Sequence, residues 1–230
     1  MSCMEHFFED RDVMFEALAV RISERLAVAV EQKGEATFVV SGGSTPAPLF
    51  ERLSMIDIPW EKITVTLADE RWVPMSDKDS NEAMIMEKFL VGHAAKARMV
   101  GLYTGEPTPA EGMEACSQRL EQLPRPFDVV FLGMGNDGHT ASLFPEGDNL
   151  LRALEAPEHI LCYAMNAPGA PQPRITLTLS TLLSCNDLLL ICTGNQKLDV
   201  FRKAEQDGPV EELPIRAAIR SGQLSFYWAP

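Results

Sequence analysis

The stretch Phe127–Pro145, FDVVFLGMGNDGHTASLFP, decides how the chain folds. Its first six residues, 127–132, are apolar except for Asp128, which is typical of a strand buried on both faces of a parallel sheet. Three glycines, an acid and a histidine follow at once, within Gly133–His139. Glycines at the end of a strand let the backbone turn and approach a ligand closely. The sequence therefore predicts a buried central strand with chemistry at its carboxyl end.

On both sides of this stretch, segments with the period of strands alternate with segments with the period of helices. The other predicted strands are Thr37–Val40, Ile63–Leu67, Ile160–Met165, Leu188–Cys192 and Leu224–Trp228. The predicted helices are Arg11–Lys33, Ala47–Leu53, Glu82–Val91, Pro109–Gln122, Leu198–Glu205 and Pro214–Arg220. The segment 174–179 alternates too briefly to separate a strand from the start of a helix. This alternation predicts one α/β domain over residues 1–230 with a mainly parallel sheet.

Two helix boundaries are marked by specific residue types. Gly34 should end the first helix, because glycine adopts the left-handed conformation that closes helices. Thr108 and Glu111 form a capping box with Pro109 at the first helical position, which predicts a helix start there. Pro124 should end the same helix.

Composition and charge exclude several classes of protein. With 20 Lys and Arg against 33 Asp and Glu, the formal net charge is -13, which disfavours nucleic-acid binding by backbone neutralisation. A pocket for a small anion needs only one or two local cations, so it is not excluded. The acidic N-terminal residues do not resemble a signal peptide, and no apolar run reaches 18 residues. We therefore expect a soluble cytoplasmic protein without a membrane or nucleic-acid partner.

The chain contains five cysteines, an odd number without a C-x-x-C pair. Most of them lie inside apolar segments, which is typical of buried free thiols in a reducing compartment. The five positions are Cys3, Cys116, Cys162, Cys185 and Cys192. The sequence therefore predicts free thiols instead of a disulfide framework.

Four of the predicted strands end in polar clusters. Because the carboxyl ends of parallel strands meet at one edge of a sheet, their loops gather side chains into one crevice. The four clusters are Ser41–Thr45, Asp69–Arg71, Asn136–His139 and Thr193–Lys197. Their recurrence at four strand ends predicts a ligand site at that edge.

The glycines of the central stretch allow a nucleotide-binding alternative. Residues 133–138 match the G-x-G-x-x-G fingerprint of dinucleotide enzymes and follow a strand. That fingerprint should open a helix, which Pro145 would cut short, and the acids that follow, Glu155 and Glu158, do not end a strand. The turn 41–45 has no Gly-Lys-Ser/Thr, which disfavours a nucleoside triphosphate. Glycine-turn amides and hydroxyls can still hold a phosphate monoester, although the turn also fits an ordinary helix cap.

His139 and Asp137 are the candidate catalytic residues. An acid two residues from a histidine, in a glycine-flanked loop at a strand end, can orient the imidazole or accept its proton. A lone histidine bonded to a carbonyl is the structural alternative. Lys197 and Arg174 are candidate phosphate cations, and the alternative is that both are solvated surface charges.

Five blocks of the sequence, taken in order, closely resemble the glucosamine-6-phosphate isomerase/6-phosphogluconolactonase family, and within it the lactonases. The blocks are Ser41–Pro46, Asp69–Pro74 with Ser80-Asn81, Gly133–Pro145, Arg174–Thr178 and Gly194-x-x-Lys197. The resemblance implies a three-layer, mainly parallel Rossmann-like sheet with helices on both faces, as in glucosamine-6-phosphate deaminase, ribose-5-phosphate isomerase and CoA-transferase. It implies hydrolysis of 6-phospho-D-glucono-1,5-lactone to 6-phosphogluconate, the second step of the oxidative pentose phosphate pathway.

The resemblance also implies no metal and no organic cofactor, and a phosphosugar lactone as the small-molecule partner. The predicted substrate-binding residues are Gly42, Gly43, Ser44, Thr45, Asp69, Arg71, Arg174 and Lys197. Asp69 and Glu70 either hold sugar hydroxyls or anchor Arg71. Many relatives resemble Lys-Pro-Pro just before Arg174, whereas this chain has Gly169–Pro173, so we expect no cation from that loop. Monomer and homodimer both remain open.

Two alternative functions remain at this point. The first is an isomerase or deaminase on the same fold, which acts on an amino sugar or a ketose. The second is a non-catalytic sugar-phosphate sensor. A sensor would normally carry a DNA-binding segment, and the sequence has no basic region that suggests one.

Overall fold

The predicted central strand lies in the middle of a sheet of seven parallel strands in the computed structural model, which describes residues 3–43 and 45–230. The strands of the described residues are β1 (Met4–Phe7), β2 (Ala36–Val40), β3 (Ile63–Leu67), β4 (Asp69–Arg71), β5 (Arg98–Val100), β6 (Val129–Gly133), β7 (Cys162–Met165), β8 (Arg174–Leu177), β9 (Leu188–Thr193) and β10 (Leu224–Ala229). The large sheet has the order β1-β10-β9-β6-β2-β3-β5. A second, antiparallel sheet has the order β4-β8-β7.

The helices connect these strands and cover the large sheet. They are α1 (Arg11–Lys33), α2 (Ala47–Ser54), α3 (Asn81–Lys88), α4 (Pro109–Glu121), α5 (Leu150–Leu154), α6 (Leu179–Leu183), α7 (Asn195–Glu205) and α8 (Ile215–Arg220), with short 3-10 turns at 60–62 and 92–96. None of the helices in the described ranges combines the length and the apolar character that a bilayer crossing requires.

Two neighbouring residues of β10 show that helices lie on both faces of the large sheet. Successive side chains of a strand point to opposite faces. Phe226 stacks on Phe201 of α7 with 3.6 Å between ring centroids, whereas the Tyr227 hydroxyl accepts a hydrogen bond from Arg21 of α1 at 2.7 Å. The predicted three-layer α/β architecture is therefore confirmed.

The strand order places a topological switch point between β6 and β2. From β2 the chain proceeds outward to β3 and β5, whereas from β6 it proceeds in the other direction to β9 and β10. Loops at the carboxyl ends of two such strands diverge and leave a crevice between them, where open α/β sheets bind ligands. The crevice here lies beside the glycines that follow β2 and β6.

The central strand is buried as its apolar sequence predicts, with Val129 to Leu132 no more than 1% exposed. The polar interruption, Asp128, lies just before the strand and is buried with partners. Its Oδ2 accepts a hydrogen bond from the Thr37 backbone N–H at 2.8 Å, and its Oδ1 lies 2.9 Å from Lys33 Nζ. A buried carboxylate requires such partners, so Asp128 fixes the amino end of β6 to β2.

The segment that the sequence left open, 174–179, contains both alternatives. Residues Arg174–Leu177 form β8, and Thr178 then caps α6 by accepting a hydrogen bond from the Thr181 backbone N–H. The strands β1, β4 and β5 and the helix α5 were not predicted, since each is five residues or fewer and too short for a clear period. All five cysteines are free thiols, as expected.

Candidate active site

A cavity of about 290 Å³ opens at the crevice and collects loops from four adjacent strands of the large sheet. Of the predicted site residues, those that line it are Gly42, Gly43, Thr45, Asp69, Arg71, His139, Arg174 and Lys197. Ser44, also predicted, lies outside the described residues. Asp137 is not on the cavity wall and contacts the histidine instead.

The loop that follows β6 folds back on itself and does not open a helix. The Gly135 N–H donates to the His139 backbone oxygen at 2.9 Å, and the Gly138 N–H donates to the Gly135 oxygen at 3.0 Å. Gly138 has φ 77°, a left-handed conformation that favours glycine. The next helix begins only at Leu150, so the dinucleotide fingerprint lacks the helix that would bind a pyrophosphate.

This turn brings His139 and Asp137 into direct contact. His139 Nδ1 lies 2.5 Å from Asp137 Oδ1, which also accepts the His139 backbone N–H at 3.2 Å. Burial opposes the ionisation of Asp137, but the hydrogen bond and the charge of His139 outweigh it and lower the carboxyl pKa below its usual value. An ionised Asp137 holds the proton on Nδ1, which leaves Nε2 as a proton acceptor.

Two neighbours fix the position of the imidazole ring. The ring of Phe144 lies against it, with 4.3 Å between centroids. On another side, a Cβ placed on Gly135 would lie 2.2 Å from His139 Cε1, which is closer than real Cβ contacts. Gly135 is therefore a glycine because the histidine packs on its backbone.

Asp69 of β4 and Ser142 connect the small sheet to the loop that follows β6. The Ser142 hydroxyl donates to Asp69 Oδ2, which also lies 3.8 Å from Arg174 Nη1. Both partners of that ion pair are nearly buried, with 8% of the Asp69 side chain and 11% of the Arg174 side chain exposed. The Asp69 carboxylate therefore contacts Arg174, and Asp69 also lines the cavity, where contact with sugar hydroxyls stays a prediction.

The two arginines project from adjacent strands of the small sheet. Arg71 Nη1 donates to the Asp79 backbone oxygen at 2.6 Å, and the Arg174 guanidinium lies 5.6 Å from the centroid of Phe144. The Nε atoms of both arginines are buried and have no partner among the described residues. Burial lowers the pKa of Arg174, although the Asp69 charge opposes this effect. Such donors suit an anion that enters the cavity.

Glu70 is fully buried and faces α3 instead of the cavity. Its carboxylate accepts backbone N–H groups of Arg71, Asn81 and Glu82, each at 2.7 Å, and so caps the amino end of α3. These contacts match an anchoring role for Glu70 and not a contact with sugar hydroxyls. The groups that it anchors are the Arg71 backbone and the start of α3.

Besides Arg71 and Arg174, the cavity is lined by the cation Lys197, which lies in the first turn of α7. Gly194 precedes this helix with φ 82°, which turns the chain from β9 into the cavity edge. Across the cavity, Gly43 has φ 102° in the turn after β2. The Gly42 and Gly43 N–H groups have no acceptor among the described residues, so they are available to an anion.

The loop before Arg174 has a glutamine, Gln172, in place of a cation. The Gln172 amide donates to Asp79 Oδ2 at 2.6 Å, and the Asp79 backbone oxygen accepts from Arg71. Asn81 lines the cavity and was not among the predicted site residues. Ser80 caps α3 by accepting the Ala83 N–H, so the helix begins at Asn81, one residue before the predicted start. Within the described ranges, no group of three or more His, Cys, Asp or Glu is placed to hold a metal ion.

Comparison with known proteins gives concordant results. Residues 9–228 match the family model of glucosamine-6-phosphate isomerases/6-phosphogluconolactonase. A curated 6-phosphogluconolactonase of Rhizobium meliloti is 43% identical, with all of both chains covered, and one of Pseudomonas putida is 41% identical over 98% of this chain and 92% of its own. The crystal structure of a 6-phosphogluconolactonase from Shewanella baltica superposes with a TM-score of 0.96 at 40% identity, covering 99% of this chain and 98% of that one. The chain therefore belongs to the glucosamine-6-phosphate isomerase/6-phosphogluconolactonase family.

Proposed function

We propose that the chain hydrolyses 6-phospho-D-glucono-1,5-lactone to 6-phosphogluconate, with His139 as general base and then general acid. Relatives at 41–43% identity over nearly the whole chain are 6-phosphogluconolactonases, so lactone hydrolysis in the pentose phosphate pathway is the activity of this chain. The observation that carries the role of His139 is its contact with Asp137 inside a cavity that also holds Arg71, Arg174 and Lys197. A cytoplasmic location accords with that pathway.

The first chemical step is the attack of water on the lactone carbonyl carbon. His139 Nε2 takes a proton from the water as its oxygen forms the new C–O bond, and the carbonyl oxygen becomes an oxyanion. Asp137 stabilises the resulting imidazolium through its 2.5 Å contact with Nδ1. In solution, lactone, water and base would have to meet by chance. A base that is fixed beside the bound lactone removes that entropic cost.

In the second step the tetrahedral intermediate collapses. The bond between the carbonyl carbon and the ring oxygen breaks, and the imidazolium returns its proton to that oxygen, which becomes a hydroxyl. The product is an open-chain carboxylic acid that ionises at neutral pH. N–H groups of the glycine turns at the strand ends would stabilise the oxyanion.

The phosphate does not react, and its role is to position the lactone. Arg71, Arg174 and Lys197 supply positive charge from two sides of the cavity, and the Thr45 turn completes the wall. Arginine suits this role because its planar fork meets two phosphate oxygens. Binding energy from this remote group holds the carbonyl near the base.

To test this proposal, the rate of acid release from freshly made lactone is measured and the rate of spontaneous hydrolysis is subtracted. Glucosamine 6-phosphate is tested as a second substrate. We expect wild-type activity on the lactone and none on the amino sugar. His139→Ala should abolish the enzymatic rate, whereas His159→Ala, an exposed histidine beside Arg125 and Pro126, should not. Ammonia release would identify a deaminase, and binding of sugar phosphates without turnover would identify a sensor. Full activity of a folded His139→Ala protein would exclude this base.

A further inference from the structure

We propose that Asn81 is a positioning residue that holds the glycine turn and Arg71 at a fixed separation, and so shapes the phosphate end of the site. This inference rests on the proposed lactonase function. Asn81 is the first residue of α3, is 3% exposed and lines the cavity. Its side chain contacts two segments that are distant in the sequence from each other, β4 and the turn after β2.

The amide group of Asn81 bridges two parts of the β4 segment. Its Nδ2 donates to the Asp69 backbone oxygen at 2.9 Å, and its Oδ1 accepts from Arg71 Nη1 at 3.0 Å. An amide offers both the donor and the acceptor that these two contacts require. A flipped amide would place its NH2 group against Arg71 Nη1, so that two donors would face each other. A carboxylate would instead place an acceptor against the carbonyl oxygen of Asp69.

The same amide packs on the turn after β2. A Cβ placed on Gly42 would lie 2.0 Å from Asn81 Oδ1 and 2.3 Å from its Cγ. The φ of Gly42 is not positive, so backbone strain does not require glycine at this position. Gly43, in contrast, has φ 102° and nothing within 4 Å of its Cβ direction. Gly42 is therefore a glycine because Asn81 occupies the space of a side chain.

The backbone of Asn81 is held in place by the Glu70 carboxylate. The Asn81 backbone N–H donates to Glu70 Oε1 at 2.7 Å, and Glu70 lies between the two residues that the amide bridges. With Nη1 of Arg71 committed to Asn81 and to the Asp79 backbone oxygen, the Nε and Nη2 edge of the guanidinium remains for the phosphate. The amide thereby orients the fork of Arg71 and sets its distance from the glycine turn.

A double-mutant cycle of Gly42→Ala and Asn81→Ala tests this role. The loss of a hydrogen bond to a charged group predicts that Asn81→Ala raises KM for the phosphorylated lactone by about tenfold or more, with kcat little changed. Gly42→Ala should be comparably harmful alone, because its methyl group displaces the amide. In the double variant the space is free, so its KM should equal that of Asn81→Ala instead of the product of both effects.

Controls separate this role from a loss of folding and from a failure of the proposed function. Asn186→Ala removes an amide before the start of β9 and should leave both constants unchanged. Circular dichroism and Tm establish that each variant is folded, and isothermal titration with 6-phosphogluconate should show the same weakening as KM. An unchanged KM in folded Asn81→Ala, or additive effects in the cycle, would overturn the inference. A wild-type protein without lactonase activity would instead overturn the proposed function, and product binding would still report on Asn81.

Discussion

Arg71 and Arg174 are direct cross-strand partners in the antiparallel pairing of β4 and β8. Residues directly opposite in such a pair point to the same face, and like charges there destabilise the pair. Asp69 lies close enough to offset part of the repulsion, at 3.8 Å from Arg174. The site therefore has an unfavourable concentration of positive charge until an anion binds between the two guanidinium groups.

A bound phosphate should accordingly stabilise the fold. At 6-phosphogluconate concentrations 100-fold above Kd, binding adds about 2.7 kcal/mol to the free energy of unfolding. For a chain of this size the Tm should rise by roughly 5–10 °C. Differential scanning calorimetry measures the shift, with sodium chloride at equal ionic strength as the control. Arg174→Met should lose most of it, and an equal shift in that variant would contradict the assignment.

Asp137→Asn should lower kcat more than it changes KM. The amide has nearly the shape of the carboxylate but no charge, so it no longer stabilises the imidazolium that forms on His139. We expect kcat to fall by about 10- to 100-fold, a modest share of what general acid–base catalysis contributes. Steady-state kinetics on the lactone measures this effect. An Asp148→Asn variant, with a carboxylate that binds Asn166 away from the cavity, serves as the control.

Gly135→Ala should displace the catalytic histidine without unfolding the protein. The added methyl group would lie 2.2 Å from His139 Cε1 and 2.3 Å from Nδ1, so the ring must move away from Asp137. Because misplacement of a reacting group costs about 100-fold in rate, we expect a kcat loss of roughly that size with a nearly unchanged KM. Gly169→Ala is the matched control, since nothing lies within 4 Å of its Cβ direction. Wild-type kcat in Gly135→Ala would show that the ring tolerates the shift.

Stability should depend on pH through Glu70. Burial raises the pKa of its carboxyl group from 4.5 to about 7, and three backbone N–H donors offset only part of that effect. Between these two values the folded protein holds a proton that the unfolded chain has released, so stability falls as the pH rises. A shift of this size corresponds to roughly 3 kcal/mol, with the full cost present above pH 7.

Urea unfolding at several pH values measures this dependence. Glu70→Gln cannot ionise, so its stability should change less than that of the wild type between pH 5 and pH 8. It should also be less stable at both pH values, because both oxygens of Glu70 accept backbone N–H groups, and the NH2 group of glutamine cannot accept one whatever the protonation state of the carboxyl group it replaces. Equal pH dependence of the two proteins would rule out Glu70 as its source.

The parts of the fold that depend on local chemistry were predictable from the sequence. Gly34 ends α1 in the left-handed conformation, and Thr108 accepts the Glu111 N–H as the capping box indicates. The strand β4 was not predictable, because three residues have no measurable period and pair only with β8. Since β8 lies far along the chain, no local pattern reveals that partnership.

In the candidate site, too, some features were predictable from the sequence and others were not. Polar clusters at strand ends predicted which loops meet, because parallel strands place their carboxyl ends together. Eight of the predicted residues line one cavity, and Asp137 lies behind His139. The proposed role of Asn81 was not predicted, because it depends on the approach of its amide to Gly42, which follows a different strand. Glycine in a sequence does not show whether conformation or close packing requires it.

The two arginines belong to the three-stranded sheet, whereas the His139 loop extends from β6 of the large sheet. In the proposed complex, the placement of the arginines and of the His139 loop on different sheets sets the distance from the bound phosphate to the carbonyl carbon of the substrate. A phosphosugar of different chain length would reach the arginines or the base, but not both. A scaffold with its phosphate-binding residues and its catalytic loop on separate sheets would allow the loop to change without loss of phosphate binding, and the family description joins two activities.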